Sequence, residues 1–328
     1  MMYDKKKAML YILEILKSYS DENHLLTQKD IIDKLRNIYH IELERKTIST
    51  TLELLIEHDY DIIHEEKGGY YLGERDFNDN EIKFLVDAIY SSRTIPGKEA
   101  AALTKKLYSY LSEYQQKDYQ YLFKSTEINR INNNEFFLNI ELIQEAIKNK
   151  KKISFQYLEY DEKGNFTMKR NGYRYKLSPY FLINNFNKYY LLGNIKWFKN
   201  HVYYRVEFMT NIEILDDPIH PYQEVETMGK TFNINKHIND HIYMFGGPTI
   251  NAEIEILDKR AVTYVYDWFG KNAKVFSKDD KLMARIKSND QAFFYWALQY
   301  QDNIKILSPQ SMIDKVVDSL EKNIQKYK

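Results

Sequence analysis

KNKKKISFQYLEYDEKGNFTMKRNGYRYKLSPYFLINNFNKYYLLGNIKWFKNHVYYR, residues 148–205, is the stretch that decides the fold. Its period is two. Lys152 to Tyr157 alternates, Gly164-Asn165 makes a turn, and Tyr173 to Leu177 alternates again. Ser178-Pro179 is expected to end that run, with further strands at Tyr180–Ile183, Lys188–Asn194, Val202–Met209 and Asn211–Leu215. Short strands in this number, following one helix, describe a small barrel of the Sm or SH3 kind over residues 136–217. The stretch also holds 13 Lys/Arg against 3 Asp/Glu in a chain whose formal net charge is zero. Aromatic side chains, Tyr157, Tyr175, Tyr190 and Trp197 among them, are interleaved with the cations. Positive charge beside flat rings on strands suits phosphate attraction and base stacking. The alternative is that the rings fill a core and the cations are ordinary solvated surface.

Outward from this stretch, residues 1–75 show three amphipathic helices and a hairpin. Residues 4–19 place Met9, Leu10, Ile12, Leu13 and Leu16 on one face. Thr27 is a predicted N-cap for a helix through Ile31, Ile32, Leu35 and Ile38. A third helix runs from Arg45 to His58, expected to be buried through Ile48, Leu52, Leu55 and Ile56, and Glu65-Glu66-Lys67-Gly68-Gly69 joins two short strands. This is the order of a winged helix-turn-helix. The third helix opens on Arg45, Lys46, Thr47, Ser49 and Thr50, where a recognition helix meets base edges. Thr27, Gln28 and Lys29 at the start of the second helix, with Lys67 in the wing, complete the candidate DNA-binding set. Against this, residues 1–75 hold 11 Lys/Arg and 15 Asp/Glu, a net of minus four. A homodimer reading two half-sites would compensate by doubling the phosphate contacts.

Residues 76–135 form a predicted helical connector, with Asn78 as a cap, a break at Pro96-Gly97 and a second helix from about Lys98 to Tyr114. Residues 218–248 read as a linker. Residues 249–328 follow the order βαββαβ plus a final helix, a ferredoxin-like extension. The fold class expected is therefore α+β and multidomain. With 328 residues and 44% hydrophobic composition, the chain has ample material for several cores.

Cysteine is absent, which removes disulfides, zinc ribbons, iron–sulfur ligation and thiol catalysis. The N-terminus lacks a cleavage signal, and no apolar run approaches the ~18 residues of a membrane span. A cytoplasmic protein with no membrane partner is expected. Gly229-Lys230-Thr231 has the tail of a P-loop, but Glu224 stands where a glycine is needed. The nucleophile-elbow, dinucleotide and zincin motifs are missing too, so neither an enzyme nor a cofactor is expected. His237 and His241 would share a helical face, yet without cysteine or an obvious third ligand the segment reads as a solvated loop and no metal is expected.

The residues around the motif then carry a family resemblance over nearly the whole chain. It resembles the WYL-domain transcriptional regulators of bacteria. The naming tripeptide stands as Tyr189-Tyr190-Leu191, with Tyr in place of Trp. Lys176 to Ile183 resembles the strand before it, Tyr204-Arg205-Val206-Glu207 the family's YRVD, and Ser308-Pro309-Gln310-Ser311-Met312 its ending. Phe208 occupies a position where the family usually has a basic residue. The resemblance implies a barrel that senses a nucleotide or single-stranded nucleic acid and sets the affinity of the helix-turn-helix for double-stranded DNA. Arg205 is the leading ligand contact, since a guanidinium on a strand grips phosphate in a bidentate way; a salt bridge to Glu207 is its alternative. Lys169, Arg170, Arg174, Lys176, Ser178, Tyr157 and Tyr190 complete the candidate ligand set. A second function from another class stays open: an accessory RNA- or single-stranded-DNA-binding protein whose winged helix is a dimer or partner contact.

Overall fold

The computed structural model describes residues 2–65, 68–119, 130–131, 133–195 and 199–328. Lys67 and Trp197, and residues 120–129 of the expected connector, lie outside the described residues. The chain divides into two compact units, Met1–Asn132 and Asn133–Lys328. Among the described residues, no helix is long and apolar enough to cross a membrane.

The first unit opens with α1 (Met2–Tyr19), α2 (Gln28–Tyr39) and α3 (Arg45–Glu57), followed by a hairpin of β1 (Ile62–Glu65) and β2 (Gly69–Leu72). Their shared core is Ile12, Ile15, Leu16, Ile31, Leu35, Ile48, Leu52 and Leu55, with Ile62 and Leu72 from the hairpin. These are helical-period positions of the sequence, so apolar burial fixes the arrangement; Leu10, Ile38 and Ile56, expected on the same faces, lie at the edges of the stripes and are exposed. Thr27 caps α2 in a reciprocal box: its hydroxyl accepts from the Asp30 N–H at 3.2 Å, and the Asp30 carboxylate accepts from the Thr27 N–H at 2.8 Å. Gly69 is required at its position. Its φ is +121°, and a Cβ there would lie 2.4 Å from the Leu26 carbonyl oxygen.

The unit continues with α4 (Asp79–Ser91), capped by Asn78, α5 (Gly97–Tyr108) and α6 (Glu113–Tyr119). One helix was expected to run from about Lys98 to Tyr114; it is two. The Ser112 hydroxyl causes the division. It accepts from the Gln115 N–H at 3.1 Å, which starts α6, and donates to the buried Asp21 carboxylate at 2.6 Å.

The second unit begins with α7 (Phe136–Lys148) and six strands: β3 (Lys151–Tyr160), β4 (Phe166–Met168), β5 (Tyr175–Asn185), β6 (Lys188–Asn194), β7 (Val202–Arg205) and β8 (Met209–Pro218). They form one curled sheet of order β4-β3-β5-β6-β7, with β8 also paired to β3. Ile153, Phe155, Leu177, Leu191 and Met209 are buried inside it, and α7 lies against β3, β5 and β8. Two expectations are corrected here. Ser178-Pro179 does not end a strand: β5 runs through to Asn185, because the proline, which lacks an N–H, sits where the pairing with β6 shifts register. Gly193 opposite allows that approach, since a Cβ on it would lie 2.6 Å from the Ser178 carbonyl oxygen. Nor is Val202–Met209 one strand. A 3-10 turn at Val206–Phe208 separates β7 from β8.

Beyond a short helix, α8 (Ile234–Asp240), come β9 (Thr249–Ile256), α9 (Ala261–Phe269), β10 (Ala273–Lys278), β11 (Lys281–Asn289), α10 (Asp290–Gln299), β12 (Ile304–Ser308) and α11 (Gln310–Gln325). The four strands are antiparallel in the order β10-β11-β9-β12. Alternate residues Ala252, Ile254 and Ile256 of β9 pack on Val265, Phe293 and Trp296, so α9 and α10 cover one face of this sheet. The α8 segment is a further correction. His237 and His241 are buried, not solvated, because Ile234 and Ile238 of the same helix pack on Val225, Met228 and Tyr203.

Phe155 is fully buried and touches the rings of Tyr175 and Tyr204. Phe155→Ala is expected to lower the stability of the second unit by about 3–5 kcal/mol, read as a fall in its urea midpoint with the transition of the first unit unchanged.

Candidate functional site

The chemistry of the second unit gathers at the end of β7. Tyr204-Arg205 closes that strand, the turn at Val206–Phe208 reverses the chain, and Glu207 is carried inward until it is 0% exposed. Arg205 answers that buried charge. Its Nε and one terminal amino group donate to Glu207 Oε1 at 2.8 and 2.6 Å, while the side chain stays 29% exposed. A buried carboxylate is tolerated only when it is paired, so this bond holds the guanidinium in one orientation. Nη1 has no hydrogen-bond partner among the described residues. Phe208 adds the other support, its ring centroid 4.5 Å from the guanidinium carbon. The residue that replaces the family's second cation thus serves as a platform for the first.

Arg205 lines a cleft of about 690 Å³ within this unit. Tyr157 and Tyr190 stand beside it, with Tyr203 and Lys188 from the neighbouring strands. Tyr190 projects there because alternation along β6 sends the buried Leu191 to the opposite side, while Tyr189 meets Phe136 edge-on at 5.6 Å. The Tyr157 hydroxyl accepts from the Arg205 N–H at 3.1 Å, tying β3 to the end of β7. Burial pushes the Tyr157 phenol up to about 12 and raises Tyr190 and Tyr203 as well. The phenols are therefore neutral at physiological pH. They bring no negative charge to oppose an anion and keep their protons for donation.

The opposite wall comes from the C-terminal half of the unit: Tyr243, Phe245, Trp268 and Tyr295. None of these was legible as a site residue, since each reads locally as an ordinary aromatic near a turn or on a helix face. Partial exposure of Phe245 and Tyr295 in the folded chain is the only signal that marks them.

The remaining ligand candidates lie elsewhere. Lys169 does not line the cleft; its Nζ is 5.8 Å from the Tyr157 ring centroid and 4.0 Å from a Glu159 oxygen. Arg170 is exposed, with φ of 51° in a tight turn. Arg174 is ion-paired to Glu213 at 2.9 Å and donates to the Asn211 carbonyl at 2.9 Å, which holds it along the sheet. Lys176 is exposed opposite Ser154. Ser178 is buried, and its hydroxyl accepts from the His220 N–H at 2.9 Å. The cleft therefore unites Tyr157, Tyr190 and Arg205, and does not include Arg174, Lys176 or Ser178.

In the first unit, Arg45, Lys46 and Thr50 are exposed at the start of α3, with Thr47 and Ser49 half-buried. The Thr50 hydroxyl donates back to the Lys46 carbonyl at 3.0 Å. Thr27 is committed to the capping box, Gln28 reaches the Tyr70 hydroxyl at 3.5 Å, and Lys29 is exposed.

Residues 139–214, from α7 through most of β8, match the family model of the WYL domain. This part of the chain is a WYL domain. Among solved structures it is similar to proteasome accessory factor B/C (PafBC) of Arthrobacter aurescens, at 14% identity and a TM-score of 0.29 over 98% of this chain and 49% of that one. This chain thus spans about half the length of that relative. It is also similar to a CRISPR Cas-related protein, at 16% identity and a TM-score of 0.39 over 98% of this chain and 85% of that one. No curated protein matches. In the WYL domain described above, the tripeptide supplies one cleft residue, Tyr190, and two packing residues.

Glu207→Gln keeps the shape of the side chain and removes its charge. The expected loss is about 1–3 kcal/mol of stability, measured by urea unfolding, and the loss in the double variant that also carries Arg205→Ala is expected to be smaller than the sum of the two single losses because the residues act as a pair.

Proposed function

We propose that this protein is a transcription regulator that binds double-stranded DNA through residues 1–75 and takes an anionic nucleotide or single-stranded nucleic acid in the cleft of its WYL domain. What carries the proposal is the cleft: a guanidinium held by a buried carboxylate and backed by a ring, facing neutral phenols and an aromatic wall. Arg205 would grip a phosphate through its unpaired nitrogen, and Tyr190, Trp268 or Tyr295 would stack on a base. Lys188 adds a second cation at the mouth.

For the first unit, the three helices and hairpin have the order of a winged helix-turn-helix, with α3 as recognition helix. Arg45 and Lys46 would meet phosphates or base edges. No side chain caps the first turn of α3; the Thr47 N–H goes to the Glu44 carbonyl at 2.9 Å, which leaves the N–H groups of Arg45 and Lys46 for a phosphate. The curled sheet supports reading residues 136–217 as the small barrel, and the strand order β10-β11-β9-β12 supports a ferredoxin-like extension. A homodimer would present two recognition helices, and ligand in the cleft would shift their fit to paired half-sites. Binding, not catalysis, is the activity proposed.

The net charge of minus four over residues 1–75 favours a second reading, in which the cleft binds RNA or single-stranded DNA and the first unit contacts a partner protein. Fluorescence anisotropy with two labelled probes separates them. One probe is duplex DNA from upstream of the gene, the other a short single-stranded oligonucleotide, each at several salt concentrations. Arg45→Ala with Lys46→Ala is expected to abolish tight duplex binding and to lower the salt slope by about 2, while single-strand binding stays intact. Arg205→Ala is expected to weaken the single-strand probe about 10–100-fold and leave duplex affinity unchanged. Equal effects of both variants on one probe would sink the two-site assignment, and single-strand binding alone would select the second reading.

A further inference from the structure

Between the curled sheet and the C-terminal sheet, three imidazoles converge. His237 lies in α8, His241 follows its last residue, and His201 stands immediately before β7. They are 8%, 4% and 5% exposed, and one nitrogen from each lies within 4.8 Å of the others. The rings of His237 and His241 stack with centroids 4.1 Å apart, and His201 meets His237 at 4.9 Å.

Two of the inward nitrogens are orphans. His201 Nε2 and His241 Nε2 are buried without a hydrogen-bond partner. Buried polar atoms are nearly always paired, so two such atoms on adjacent rings call for a cause. The opposite nitrogens, by contrast, are fixed. His241 Nδ1 donates to the His237 carbonyl at 2.9 Å, and His201 Nδ1 meets Thr227 Oγ1 at 2.7 Å, an oxygen that also accepts from the His201 N–H at 3.1 Å. A ring whose Nδ1–H is held by an oxygen presents the Nε2 lone pair, which is how metal-ligating histidines are oriented. The Gly247 backbone approaches the His241 ring as a hydrogen-bond acceptor and raises its basicity, although Nε2 has no partner at full hydrogen-bond geometry.

Burial keeps all three imidazoles neutral, His201 at about 4 and His237 at about 3, with His241 also depressed. The adjacent carboxylate is taken: Asp240 binds Lys287 Nζ at 2.6 Å and Asn272 Nδ2 at 2.9 Å. The donor set is therefore nitrogen only.

We propose that His201, His237 and His241 bind a divalent transition-metal ion of borderline softness, zinc or a first-row neighbour, with Tyr203 beside the fourth position. Imidazole nitrogens suit these ions and exclude magnesium and calcium, which take oxygen. Four-coordinate zinc holds its ligand nitrogens about 3.3 Å apart, so the rings draw in by up to about 1.5 Å when loaded. His237 Nε2 is hydrogen-bonded to the Tyr203 hydroxyl. Capture of that nitrogen by the ion releases the phenol, which becomes a neighbour of the metal.

The test uses the full chain, stripped with a chelator and titrated with Co²⁺ as a visible probe, then with Zn²⁺ in competition. Expected are tetrahedral d–d bands saturating at about one Co²⁺ per chain and bleached by Zn²⁺. His201→Gln and His241→Gln are expected to lower affinity more than about 100-fold, and Thr227→Val, which removes only the orienting partner, about 10–100-fold. His24→Gln with His220→Gln controls for histidines outside the cluster and leaves the titration unchanged. A wild-type chain without tetrahedral bands, or bands that persist in the triple variant H201Q/H237Q/H241Q, would overturn the site. Should the glutamine variants fail to fold, the wild-type spectrum and Thr227→Val decide, and an unchanged affinity in that variant counts against it.

Discussion

The burial of Glu207 is the constraint around which the WYL domain is arranged. A carboxylate with no solvent access demands compensation, and one oxygen receives it from two donors of Arg205. The other, Oε2, has no partner, so the pair is held by geometry more than by complete satisfaction. The turn that delivers Glu207 inward is pinned from behind: Asn133 Nδ2 donates to the Glu207 and Met209 carbonyls at 3.1 and 2.8 Å, and Asn139 adds a bond to Met209 at 2.7 Å. Helix α7 thereby sets where β7 stops, and where β7 stops sets where Arg205 points.

Locally determined features of the fold were legible in the sequence. The Thr27 cap, the apolar stripes of α1 to α3 and the βαββαβ order after residue 249 each depend on residues within one turn or one strand pair. Features that depend on a partner distant in sequence were not. Pro179 reads as a strand end, and only its position opposite Gly193 allows the strand to continue. Val206 to Phe208 reads as strand, because nothing nearby announces that Glu207 will be buried.

The site divides along the same line. Tyr157, Tyr190 and Arg205 were all named from the sequence and line the cleft: alternation along β6 speaks to Tyr190, the Tyr204-Arg205-Val206-Glu207 run to Arg205, and Tyr157 was a stacking candidate with a core role equally open. Arg174 and Lys176 share their alternation but not their destination. Arg174 is drawn to Glu213 across the sheet, a pairing that composition alone cannot foresee. The excess of positive charge over residues 148–205 is consequently two populations: a few cations at the cleft and others that solvate or brace the sheet. For the same reason the third imidazole was missed. His201 lies on a different element from His237 and His241, and only the fold sets it beside them.

Tyr203 connects the two regions. Its ring lines the cleft and its hydroxyl bonds to His237. Along the other wall, His241 is followed directly by Ile242, Tyr243 and Met244, which line the cleft too. The imidazole cluster and the cleft thus share a side chain on one wall and a continuous backbone on the other. An ion seated among the three rings would free the Tyr203 hydroxyl from His237 on one wall and pull on the 241–245 segment on the other, so both walls of the cleft would respond to it. If the proposed ion and the proposed cleft ligand favour different placements of these walls, their binding would be linked reciprocally.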